Sequence, residues 1–76
     1  MASVIDQEIV SIHRIADQGL ASLDAASRSY QVTRDAITDT MNQAEHSLVK
    51  LALHAGLPIT VALRSEEARR LLAEKS

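Results

Sequence analysis

Ser27-Arg28-Ser29-Tyr30-Gln31-Val32-Thr33 is the stretch on which the fold turns. It is polar, low in helix propensity, and lies between two long stripes of apolar residues at helical spacing. Thr33 is a candidate helix N-cap, with Asp35 placed where an acid complements the positive end of the helix dipole. No Gly or Pro within the stretch forces a reversal. Two architectures compete: a helical hairpin turning near residues 28–33, and one unbroken helix from about residue 4 to residue 55, roughly 75 Å long at ~1.5 Å per residue. The hairpin is preferred. Joining the stripes through Thr33 takes consecutive steps of four, and only a stutter or a turn absorbs that change of phase.

Upstream, the apolar positions are Ile5, Ile9, Ile12, Ala16, Gly19, Leu23, Ala26 and Tyr30, a heptad seam that begins with β-branched side chains and thins to small ones. Small seam residues let a facing helix come close, although Gly19 costs ~1 kcal/mol in helix propensity. Downstream, a second stripe runs through Ile37, Met41, Ala44, Leu48, Leu51 and Ala55, and Val49 and Leu53 widen it into a face. Gly56 suits the residue after a helix end, and Pro58 stops continuation. Beyond it, Leu57, Ile59, Val61 and Leu63 alternate with Pro58, Thr60, Ala62 and Arg64, the period of a half-buried strand. A lone strand needs a partner, so an extended segment here either covers the hairpin as a connector or pairs with a second copy. A helix starting at Pro58 is the competing reading. Ser65 followed by Glu66 and Glu67 marks the start of a last amphipathic helix.

The expected fold is therefore all-α. It is one helical domain over 1–76, with helices at about 3–28 and 33–55, a Gly-Leu-Pro break at 56–58, and a C-terminal helix at about 65–75. At 76 residues such a chain has a small core, and with no Cys it has no disulfide to reinforce it. Homo-oligomerisation into a bundle is the expected remedy, through Ile5, Ile9, Ile12, Ala16, Leu23, Ile37, Met41, Leu48 and Leu51. Val4, Val10, Ile15, Leu20, Val49 and Leu53 are apolar positions that one hairpin cannot also cover.

Composition narrows the function. Hydrophobic residues form 46% of the chain, too many for a disordered protein, and Tyr30 is its only aromatic. No apolar run approaches the ~20 residues that cross a bilayer. The opening Met-Ala-Ser-Val-Ile-Asp has neither a basic region nor an apolar core of the kind that directs export, so a cytoplasmic location without a membrane partner is expected. Residues 1–60 carry four basic against seven acidic side chains, and 61–76 carry four against three. Neither part offers the basic stripe that phosphate binding needs. Arg64, Arg69 and Arg70 after Gly-Leu-Pro suggest a helix-turn-helix reader as an alternative, but Glu66, Glu67 and Glu74 share that helix.

Candidate chemistry is sparse. His46 and His54 are two helical turns apart, while a hairpin brings His13 toward His46, with Asp17 or Glu45 nearby. No pair has the spacing of a helical zinc site, so neither a metal nor another cofactor is expected. The carboxylates read as solvated helix faces, because so small a helical chain has almost nowhere to bury one. No serine lies in a nucleophile-elbow context. The chain is thus expected to be no enzyme but a protein–protein interaction module: an adaptor, inhibitor or small chaperone. Its partners would be itself and another protein, the latter contacted by Tyr30, Arg28 and Arg34. A Tyr30-Gln31 step after a polar-apolar helix, then a second helix containing Ala and Gln, bears a passing resemblance to the short helical proteins of R-bodies, which assemble into coiled ribbons. The likeness covers about a third of the chain and lacks that family's Gln-rich run and repeated small-residue motif. What it implies is a second alternative, a self-assembling structural subunit.

Overall fold

The computed structural model describes residues 3–23 and 27–75. Helix α1 spans Val4–Ala21, a 3-10 turn at Arg28–Tyr30 leads into α2 at Gln31–Ala55, and α3 spans Glu66–Lys75. The described residues contain no strand. Helices α1 and α2 pack side by side as a hairpin, and α3 packs on α2. The unbroken helix is thereby excluded.

Helix α1 opens on a reciprocal cap. The Ser3 hydroxyl accepts the Asp6 backbone N–H, and the Asp6 carboxylate accepts that of Ser3. It ends earlier than the expected residue 28: Ser22 and Leu23 have already left the helix, and Asp24 to Ala26 lie outside the described residues. The Ser22 hydroxyl donates to the Gly19 carbonyl, a local bond that competes with helix continuation just after a weak helix former. Arg34 then reaches across from α2 and donates to the Leu20 carbonyl at 2.8 Å, supplying the positive charge that the last turn of α1 lacks.

Helix α2 starts two residues before the expected Thr33. The Tyr30 N–H bonds to the Ser27 carbonyl and the 3-10 turn runs straight into the helix, with Gln31 bonded to Asp35 across the first turn. Thr33 is an exposed helical residue and not the cap. At the other end Gly56 takes the left-handed conformation (φ 71°), and the Leu57 N–H closes onto the Ala52 carbonyl.

Residues 56–65 form a ten-residue strap between α2 and α3, longer than the ~3–4-residue turn of a helix-turn-helix. The expected alternation holds from Ile59 onward: Ile59, Val61 and Leu63 are half-buried and Thr60, Ala62 and Arg64 are exposed, but Leu57, expected inward, is exposed just beyond the left-handed Gly56. The inward three pack on a core of Ile5, Ile9 and Ala52, joined by Leu48. The strap is thus the connector that covers the hairpin, and not a helix from Pro58. Ser65 caps α3 as read, its hydroxyl accepting the Ala68 N–H.

The inner line of α2 differs from the expected stripe. Met41, Glu45, Val49 and Ala52 are the buried residues, while Leu51 is 54% exposed. Val49 is therefore core and not leftover surface. Two carboxylates also overturn the expectation of solvated acids, since Asp6 and Glu45 have no exposed surface.

Candidate interaction surface

Both buried acids are explained by the strap. An extended segment without a neighbouring strand has backbone N–H groups to satisfy, and here carboxylates accept them. Asp6, on α1, accepts the Thr60 N–H at 2.8 Å, the Thr60 hydroxyl at 2.7 Å and the Val61 N–H at 3.4 Å. Glu45, on α2, accepts the N–H groups of Arg64 and Ser65 at 2.9 and 2.7 Å with one oxygen, and pairs with His13 Nε2 through the other. The Arg64 guanidinium forks onto the more exposed Asp17 at 2.8 and 3.0 Å.

The electrostatics follow from these contacts. The Thr60 hydroxyl, then its backbone N–H, hold the Asp6 carboxyl below the usual range against the opposing effect of burial. The Arg64 hydrogen bond likewise lowers Asp17, and Asp17 in turn raises Arg64. With both oxygens of each buried acid engaged, neither is free to act as an acid or base toward a substrate. Among the described residues no three His, Cys, Asp or Glu side chains gather into a metal site. No described helix is long and apolar enough to cross a membrane.

The other side of the hairpin is open. A groove of about 440 Å³ runs between the helices, with Ile12, Ile15, Ala16 and Gly19 forming its α1 wall. Its α2 wall is Thr33, Ala36, Ile37, Thr40, Met41 and Ala44. No charged side chain lines it. At ~3.6 residues per turn, Asp6, His13 and Asp17 lie roughly 150° around α1 from Ile12, Ile15 and Gly19, so strap and groove occupy different faces. On α2, Asp39, Asn42 and His46 look instead into a polar cleft beside Glu66 and Glu67 of α3. Gly19 brings the groove walls together: a Cβ there would lie 3.3 Å from Ile37 Cδ1.

The residues read from sequence as an oligomer interface divide among several places. Ile12, Ala16, Ile37 and Met41 come together in the groove. Ile5 and Ile9 are in the chain's own core, with Leu48 packed against it. Leu51 is exposed, and Leu23 is half-buried just beyond α1. Of the expected partner contacts, Arg28 and Tyr30 are exposed in the 3-10 turn, and Arg34 is engaged with Leu20. His13 meets Glu45 and not His46. The strap-holding roles of Asp6, Glu45 and Thr60 were missed. The available signals were the Ser3-x-x-Asp6 cap pattern and the position of Glu45 four residues from both Met41 and Val49.

Comparison of the chain with protein-family models, curated proteins and solved structures gave no match.

Proposed function

We propose that this chain is a small non-enzymatic protein–protein interaction module, an adaptor, inhibitor or small chaperone, that works as a homo-oligomer by presenting helix faces. The supporting observation is the apolar groove between α1 and α2, beside which Ile15 is 67% exposed. Contiguous exposed apolar surface of this kind marks a binding face more often than scattered single residues do. The saturation of both buried carboxylates by strap hydrogen bonds fits a structural use of these acids and argues against catalysis. The ten-residue strap weighs against a DNA-reading helix-turn-helix.

Light scattering on a size-exclusion column, over a wide range of protein concentration, tests the reading. A fixed small oligomer is expected. Growth that continues with concentration would point to an assembling structural subunit, and a monomer throughout would remove the homo-oligomer from the proposal.

A further inference from the structure

We propose that the groove face is the contact surface of a two-fold homodimer, in which the same face of a second copy closes two hairpins into a four-helix arrangement. This rests on the reading of the chain as an interaction module and adds to it the face and the partner.

Three observations select a second copy. The first is shape. The chain is a slab of 43 × 24 × 15 Å between its Cα extremes, and the groove runs between its two long helices. Stable domains stack two layers of secondary structure, and the groove side of this hairpin has no second layer. The second is charge. An identical copy brings identical charges, and the groove itself is lined without any, so its walls bring no like charges together. The third is self-complementarity. The exposed Ile15 shares the groove lining with the small residues Ala16, Gly19, Ala36 and Ala44, so one face carries both a projecting side chain and room to receive one. In an isologous interface each copy offers both, and the contact closes at two subunits.

The chain has no Cys, which permits a clean cross-linking test. Thr40 is near the middle of the groove, close to where the two-fold axis would pass, whereas Glu74 is exposed on α3. We expect wild type to scatter at twice the 8.3 kDa chain mass. Thr40→Cys should oxidise readily to a covalent dimer and Glu74→Cys should not. Ala36 is exposed in the isolated chain, so Ala36→Arg should keep its helicity by circular dichroism while weakening the dimer at least about tenfold.

A wild-type dimer that survives Ala36→Arg and cross-links no better through Thr40→Cys overturns the proposed face but leaves self-association standing. Growth past the dimer overturns the closed two-fold contact. A wild type that is monomeric at every concentration overturns the inference outright, and a foreign helix or an apolar ligand then becomes the occupant to seek. If Ala36→Arg does not fold, the two Cys variants still decide the face.

Discussion

Glu45 has no exposed surface, yet it carries three hydrogen-bonded partners from two other parts of the chain: His13 of α1 and the Arg64 and Ser65 N–H groups of the strap. Removing the carboxylate would leave those donors without an acceptor in a region closed to water. Loss of one member of a buried network costs more than the net worth of its bonds, because the survivors keep their desolvation cost. Glu45→Ala should therefore destabilise the chain by about 3 kcal/mol, read as a lower urea midpoint. A change under about 0.5 kcal/mol, the size expected of surface sites, would show that the residue does not hold the strap. Asp6 supports a prediction in pH. Its carboxyl is held below the usual range, first by the Thr60 hydroxyl and then by the Thr60 N–H. A carboxyl depressed on folding contributes stability that is complete above its unfolded value of about 3.9 and is lost as pH falls through the folded value. The stability gap between wild type and Asp6→Asn should thus be constant near neutrality and shrink below about pH 4. A gap of unchanged size down to acid pH would mean that the ionised form is not what binds Thr60.

At the scale of elements, the left-handed Gly56 ends α2 and aims the chain into the strap. A Cβ at this position meets nothing within 4 Å, so the cost of Gly56→Ala is conformational and not steric. We expect a loss of about 1 kcal/mol by thermal or chemical denaturation, the penalty of an L-residue in that region. A neutral result would imply that α2 ends without the left-handed turn. Gly56 and Pro58 were legible because turn chemistry is local, and so were the Ser65 cap and the period-two burial of Ile59, Val61 and Leu63. The end of α1 was not, since it depends on Ser22 bonding back to Gly19 and on Arg34 arriving from fourteen residues away. The inner face of α2 was misread for a related reason. A search for apolar heptads passes over Glu45, whose burial is tolerable only because a strap twenty residues later supplies its N–H partners. Polar atoms buried through long-range hydrogen bonds leave little trace in hydrophobic periodicity. The groove was partly legible: Ile12, Ala16, Ile37 and Met41, read from the two stripes as interface positions, all line it, but the heptad pattern does not reveal that the strap covers Ile5 and Ile9 and not these four.

For the whole molecule, strap and groove divide the hairpin into a face the chain covers itself and a face it leaves open. The covered face rests on a small core, Ile5, Ile9 and Ala52 with the strap residues above them, reinforced by the Asp6 and Glu45 hydrogen bonds. A core of this size supplies only a few kcal/mol, and no disulfide adds to it. If the open face is closed by a second copy, folding and association are linked, because the dimer forms from native chains and not from unfolded ones. The melting temperature should then rise with protein concentration, by mass action alone. For a domain of this length each additional kcal/mol raises the midpoint by roughly 4–8 °C, so a tenfold increase in concentration falls within the reach of ordinary calorimetry. Ala36→Arg should flatten that dependence while leaving the midpoint at high dilution close to that of wild type, since Ala36 is exposed in the single chain. Glu45→Ala should do the opposite, lowering the midpoint at every concentration through the covered face. A wild-type midpoint that ignores concentration would place all of the stability within one chain and leave the groove with no part in it.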